Sequence, residues 1–328
     1  MAPTHSVAAV ESLLTFLKGG GLQPGSKPGF GHSLRLSYNT LNKERVSVSD
    51  NKKTLTYRYC FAEHATHPSV GLYTALMDEL TTDACFIAGS PHPPGVSLQM
   101  QTELLVKDHH KKPQEALPKY VDIVNTVTKL GRTVSHTRTD FVCASTQTLL
   151  AFSSHVKYMP TGSRLLDFLF TNKFVYRIYG QYLLPQQGDP KLYPKRELRK
   201  EVIGSSLEHH GLGRASFHIT REHTNPFGAM HGGCHAMVME QAAEAYAKVE
   251  LLKENEAPAE NKKCTGDSPL VLLEAMHIDF LGAAKGTVDV LCETIGKVDG
   301  EPSIHLRVML MQNEKILSEG KLRYSLLS

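Results

Sequence analysis

One pattern occurs twice in this chain, and neither copy is complete. Residues 225–241 carry Asn225, the run His231-Gly232-Gly233 and, seven positions beyond Gly233, Glu240. Laid over residues 63–79 at an offset of 162, Gly233 meets Gly71 and Glu240 meets Asp78. The first copy reads Ser69-Val70-Gly71 where the second reads His231-Gly232-Gly233. It has lost the paired glycines and kept an acid. A chain built this way must fold as two similar halves, and losses divided between them point to one composite site.

The 328 residues are enough for two ordinary domains with a sizeable core. A formal net charge of +3 gives no ground for a nucleic-acid partner. The six cysteines, at 60, 85, 143, 234, 264 and 292, form no CxxC pair. That scatter fits reduced thiols better than a disulfide framework or a zinc site. No apolar run approaches the ~20 residues that would span a bilayer. The start, Met-Ala-Pro-Thr-His-Ser, has no basic stretch leading into an apolar core, and the first arginine is Arg35. The expected compartment is the cytoplasm, with the mitochondrion as the alternative.

Four segments follow from patterning. Residues 1–32 read as a short amphipathic helix over 6–18 and a Gly- and Pro-rich loop. Gly20 and Gly25 in that loop imitate the spacing of a phosphate loop. Ser26-Lys27-Pro28 then follows in place of Lys and Ser or Thr, and Pro28 disfavours the helix such a loop needs. Residues 33–160 form the first repeat, 161–199 a connector, and 200–328 the second repeat. In each repeat a hairpin precedes a helix (Val70–Ile87, His231–Leu252), and strand-like segments follow. The hairpins are Leu34–Val48 with Thr54–Phe61, and Val202–Glu208 with Gly213–Thr220. Leu72, Ala75, Leu76, Leu80 and Ala84 form an apolar stripe on one helix, and Ala236, Met237, Ala243 and Ala247 on the other. The class is α+β, with each sheet covered by its helix. The segment 253–268 is charged and reads as an exposed loop.

At this point the residues resemble a known family. Asn225, His231, Gly232, Gly233 and Glu240, at their spacing, resemble the motif of hot-dog fold acyl-CoA thioesterases of the phenylacetate-pathway type. The resemblance is strong in the second repeat and degenerate in the first. It implies tandem hot-dog domains, each a long helix wrapped by an antiparallel sheet, forming a pseudo-dimer within one chain. It also implies an acyl-CoA substrate, no cofactor, and sites lying between the two units. Pairing of two such pseudo-dimers is a further expectation.

The chemistry can be argued from the residues as well. A Gly-Gly pair at a helix start leaves backbone N–H groups unpaired, and the helix dipole adds positive character there. That is a ready oxyanion hole for a thioester carbonyl, and glycine admits the carbonyl without a Cβ in the way. His231 and Asn225 add donors or hold the turn. A carboxylate must then activate water or attack the acyl carbon. Glu240 lies eight positions beyond Gly232 on the same helix, about 12 Å of rise at ~1.5 Å per residue, which a glutamate side chain does not close. Asp78, on the helix of the other half, is the expected acid. The resemblance adds Ser97 as a water-orienting hydroxyl and Thr82, one turn after Asp78, as a second one. Gly233 is expected to help bind substrate. The reciprocal site around Glu240, with Ser69 and Val70, is expected to be inactive.

Other readings of these residues are blander. His231 and His235 have the i,i+4 spacing of a zinc site, but no third ligand is evident and no metal is expected. Cys234 follows the glycines at a helix N-terminus, yet no base accompanies it and packing explains it. A hot-dog protein that binds acyl-CoA without hydrolysing it, or serves as a scaffold, is the main rival reading. A hot-dog dehydratase needs a different arrangement of histidine and carboxylate.

Overall fold

The computed structural model describes residues 29–31, 34, 47–60, 69–88, 95–106, 120–159, 197–225, 228–255, 270–297 and 302–327. The expected N-terminal helix over 6–18, most of the loop after it and residues 161–196 of the connector expected over 161–199 lie outside the described residues. So do residues 35–46, the greater part of the strand expected over Leu34–Val48.

The first half contains β1 (Ser47–Val48), β2 (Thr54–Cys60), α1 (Val70–Ile87), β3 (Val96–Leu104), β4 (Tyr120–Leu130), β5 (Val134–Cys143) and β6 (Leu149–Tyr158). The second contains β7 (Leu207–Gly211), β8 (Arg214–His218), α2 (Gly232–Asn255), β9 (Leu270–Phe280), β10 (Thr287–Lys297), β11 (Ser303–Gln312) and β12 (Lys315–Leu327). All lie in one 12-stranded sheet of order β1-β2-β4-β5-β6-β3-β9-β12-β11-β10-β8-β7. The order in one half reverses that in the other. The halves join at β3 and β9, whose antiparallel ladder is centred on Gln101 opposite His277. A pseudo-two-fold axis therefore passes through that pair.

The strands alternate as a half-buried sheet requires. On β4, Val121, Ile123, Asn125 and Val127 turn inward. Asn125 is accommodated there because its amide accepts from Thr139 at 2.8 Å. Each fully buried Leu or Phe of this core contributes about 1.5–3 kcal/mol. The two helices lie on the inner face and pack on each other. Each half is thus a long helix wrapped by an antiparallel sheet, which is the hot-dog arrangement.

Three expectations need correcting. The apolar stripe on α1 is real but incomplete, because α1 is buried nearly all round, Thr74, Asp78, Thr81 and Asp83 included. Sheet on one side and α2 on the other leave it no solvent face. The strand expected over Val202–Glu208 starts only at Leu207. Leu198–Ile203 is a π-helical turn and Gly204–Ser206 a 3-10 turn. Leu198, Val202 and Ile203 are its buried residues, at a helical spacing. Lys253–Asn255, expected in a loop, ends α2. Among the described residues no helix is long and apolar enough to cross a membrane.

Candidate active site

The second-half motif forms a loop that delivers His231 to the start of α2. Asn225 closes that loop. Its N–H donates to Ala229 O at 2.8 Å, its Oδ1 accepts from Ala229 N at 3.2 Å, and its carbonyl accepts from Gly228 N at 3.0 Å. Gly228 sits at φ 73, which a side chain would resist. The His231 N–H then donates to His223 O at 2.9 Å, and the His231 carbonyl takes the Cys234 and His235 amides as the first helical acceptor.

Asp78 arrives from α1, two turns into that helix. Its Oδ2 accepts from the Gly233 amide at 2.8 Å and lies 3.1 Å from His231 Nδ1. Its Oδ1 accepts from Ser97 Oγ at 2.8 Å and lies 3.5 Å from His155 Nε2 and 3.6 Å from Lys157 Nζ. The residue is 4% exposed. His231 reaches further, with Nε2 3.4 Å from Glu79 Oε2, and its ring packs on Phe30.

The charge states follow from these neighbours. Burial pushes the Asp78 carboxyl up, but His231, Lys157, His155 and the Ser97 hydroxyl outweigh it and hold it well below the usual carboxylate range. Burial pulls His231 down, but Asp78 and Glu79 reverse that and raise it. Burial and the nearby Lys157 push His155 down to about 3, so it is neutral. A charged His231 donates from both nitrogens, Nδ1 to Asp78 and Nε2 to Glu79. The 3.1 Å approach of Gly233 N to His231 Nδ1 is then a near contact, and the amide's acceptor is Asp78.

The same logic sets a tautomer. An ionised carboxylate only accepts, so Ser97 gives its proton to Asp78. Ser97 Oγ, 3.0 Å from His155 Nε2, must accept from Nε2–H. With its proton on Nε2, His155 accepts at Nδ1 from Thr81 Oγ1 at 2.8 Å, in competition with Met77 O, which lies at the same distance from that hydroxyl. A buried chain thus runs Thr81, His155, Ser97, Asp78.

A bulge explains how Ser97 comes to face inward. On β3 the inward residues are Met100, Thr102 and Leu104, so simple alternation would turn Ser97 outward. The register with β6 runs Ser97 opposite Lys157 and Gln99 opposite Val156. Leu98 is the extra residue, and it restores Ser97 to the inner face.

The two glycines have different neighbours. A Cβ on Gly232 would stand 2.6 Å from Asp78 Oδ2 and 3.1 Å from Ser97 Oγ. A Cβ on Gly233 would stand 2.7 Å from Ala75 Cα, in the backbone of α1. The first keeps room at the carboxylate, and the second lets the helices touch. The Gly232 N–H takes no hydrogen bond among the described residues.

The structure thus gathers Asp78, Ser97, His231, Gly232 and Gly233 in one place. Thr82 joins them through Lys157, whose Nζ donates to Thr82 Oγ1 and, at 3.2 Å, to Asp78 O. Asn225 holds the loop. Sequence reasoning missed His155, Lys157 and the partnership of Glu79 with His231. The sequence offers no signal for the first two: Ser153, His155 and Lys157 alternate on one strand as solvent-facing residues would, and only the structure shows all three buried. His235 turns away, with Nδ1 2.8 Å from Ser318 Oγ and its ring edge-on to Phe280. Cys234 is fully buried, and burial pushes its thiol well up.

Glu240 occupies the mirror position across the pseudo-axis. It accepts from Ser69 Oγ at 2.6 Å and from the Gly71 amide at 3.3 Å, as Asp78 accepts from Gly233. Its surroundings differ. Leu273 is paired with Tyr324 where the first half pairs Ser97 with Lys157, and Glu274 is the matching bulge residue. Tyr324 donates to Glu240 O at 3.0 Å, as Lys157 does to Asp78 O. Burial raises the Glu240 carboxyl, against smaller opposing effects of Arg199, Ser69 and Gly71. Two equivalent carboxylates are therefore driven in opposite directions.

No protein-family model and no curated protein matches the chain. Solved structures do. A putative oleoyl thioesterase from Lactobacillus plantarum is similar at TM-score 0.52 and 11% identity, over 86% of this chain and 100% of that one. The 12:0-ACP thioesterase from Umbellularia californica is similar at TM-score 0.50 and 6% identity, over 84% of this chain and 94% of that one. At such identities the likeness shows the fold, and with the topology above it identifies a hot-dog fold in two copies.

Proposed function

We propose that this chain hydrolyses acyl thioesters, acyl-CoA above all, at one composite site between its halves. The observation that carries this reading is the buried, ionised Asp78 of one half set against the glycine-built first turn of α2 in the other. The thioester oxygen is held by the Gly232 amide, where the helix dipole favours negative charge. Asp78 acts on the carbonyl carbon, directed by Ser97 and its His155 support. His231, charged between Asp78 and Glu79, stands where it can give a proton to the departing thiolate. The products are a carboxylic acid and the carrier thiol. The scheme uses no cofactor.

Asp78 can draw a proton from water or attack directly. Its depressed basicity favours attack, since a weak base is a poor proton acceptor but stays ionised as a nucleophile. In that route the Asp78 oxygen bonds to the acyl carbon, the C–S bond breaks, and the thiolate leaves and is protonated. Water then opens the mixed anhydride and regenerates Asp78. After a single turnover in 18O-water, label in Asp78 identifies attack with water opening the anhydride at the aspartyl carbonyl, whereas label in the product acid alone is what water activation, or opening at the acyl carbon, gives.

Named substrates of the similar structures, oleoyl and 12:0-ACP, support a fatty-acyl group and make a carrier-protein thioester the alternative to coenzyme A. The mirror site around Glu240 has Leu273 and Tyr324 where the first half has Ser97 and Lys157, and is proposed to be inactive. The free thiols of Cys85, Cys143, Cys234 and Cys292 fit a reducing compartment, the cytoplasm or, as the alternative, the mitochondrion. The test is release of free thiol from a panel of acyl-CoA and acyl-ACP thioesters by the purified full chain. Hydrolysis supports the reading. Tight acyl-CoA binding without thiol release would replace it with that of a binding protein.

A further inference from the structure

Lys157 is an expensive residue in its position. Its side chain is 5% exposed, inside a sheet face that a neutral residue could fill, and a buried ammonium needs partners to be tolerated. The mirror position tells what the fold itself requires. There Tyr324, equally buried, gives one hydrogen bond to the carbonyl of the helical acid, and no charge. Lys157 gives the equivalent bond to Asp78 O and adds a positive charge 3.6 Å from the Asp78 carboxylate.

We propose that Lys157 is a positioning residue, the buried cation that keeps the Asp78 carboxylate ionised and aimed at the start of α2. Its charge opposes the carboxylates gathered here. Asp78 and Glu79 both contact His231, and Lys157 adds a second cation beside Asp78. Without Lys157, His231 alone would serve both carboxylates. The groups facing this cluster are Asp78, Glu79, Asp83 and Cys85 from α1, His231 and His235 from α2, Ser97 from β3, and His155 on the same strand as Lys157. Of these, His235 is held neutral by burial, and for His155 burial, the largest of the causes that keep it neutral, persists when Lys157 is lost. Thr82, bonded to Lys157 Nζ, holds the ammonium over the carboxylate.

The inference rests on the thioesterase reading for its effect on turnover, but its direct test needs no substrate. The side-chain carboxyl of Asp78 would be followed by carbon-13 NMR in the full chain, assigned by comparison with Asp78→Asn. In the parent protein it should stay ionised down to the lowest pH at which the fold survives. In Lys157→Tyr, which imports the mirror solution, its midpoint should rise by about 1–3 pH units, and Lys157→Arg should reverse most of that rise. Lys157→Met serves the same purpose if the tyrosine does not fold. An unmoved midpoint in a folded, uncharged variant overturns the proposal. In the thiol-release assay, the acidic limb of kcat/KM should move with the midpoint, whereas a purely structural role would lower the plateau and leave the limb in place. A shifted midpoint in a chain that releases no thiol would sink the thioesterase reading and leave the role of Lys157 standing.

Discussion

Across the boundary between the halves, the Asp78 carboxylate accepts the backbone amide of Gly233 at 2.8 Å. The mirror contact, Glu240 with the Gly71 amide, is longer at 3.3 Å. The same helix-to-helix device is thus built twice. Only one copy is surrounded by a histidine, a lysine and a serine that fix the charge of its acid.

The adjacent glycines should fail in different ways. Gly232→Ala places a methyl 2.6 Å from Asp78 Oδ2, so the carboxylate must move. Displacing a reacting group by about 1 Å can cost about 100-fold in rate. Gly233→Ala presses on the Ala75 backbone at 2.7 Å, which cannot swing aside. Its effect should appear as about 1–3 kcal/mol of lost stability. Thiol release and urea unfolding on the two variants separate these outcomes. Equal stability losses would contradict the division of roles.

The two carboxylates should give opposite pH signatures in stability. Asp78 is depressed in the fold, so its contribution is present above its ordinary value of 3.8 and is lost as pH falls below it. Asp78→Asn should therefore be less stable than the parent at pH 7, with the gap closing in acid. Glu240 is raised, so its contribution is present below its ordinary value of 4.5 and is lost as pH rises through the folded value. Glu240→Gln should match the parent in acid and gain on it towards pH 8. Urea midpoints across pH 3–8 test both signs.

The histidines should divide as well. His155, near 3, should show no titration between pH 5 and 8 and should carry its proton on Nε2. His231 should titrate above its ordinary 6.5. His235 is pushed down to about 4 by burial, so it costs stability as pH falls from 6.5 towards 4, by up to about 1.4 kcal/mol per pH unit. His231 contributes stability that is full below 6.5 and is lost as pH rises through its raised value. Imidazole NMR reads the individual midpoints. A His155 titrating near 6.5 would break the chain drawn through Ser97.

Tyr324→Phe should cost about 0.5–1.5 kcal/mol through loss of the bond to Glu240 O. It should leave thiol release unchanged, because the mirror position serves the fold. A large loss of activity would mean that the Glu240 side takes part in the reaction.

Much of this arrangement was legible in the sequence. The offset of 162 announced two halves, and helix rise alone excluded Glu240 as the partner of Gly232. What stayed hidden was set by tertiary context. Nothing in the run Val96-Ser97-Leu98-Gln99 marks Leu98 as a bulge, so alternation misplaces Ser97. His155 and Lys157 look like solvent-facing residues of a half-exposed strand, because an inward-facing lysine makes sense only once Asp78 is known to lie beneath it. The polar face of α1 was hidden for the same reason, since a helix gripped on both sides has no outside.

The central claim is that a single carboxylate, supplied by the earlier half to the later half's helix start, does the chemistry. Thiol release from acyl-CoA by Asp78→Asn and Glu240→Gln, measured side by side at pH 7.5, tests it most directly. The account predicts that the first variant is inactive and the second keeps most of the parent rate. Activity surviving in Asp78→Asn and vanishing in Glu240→Gln would contradict it.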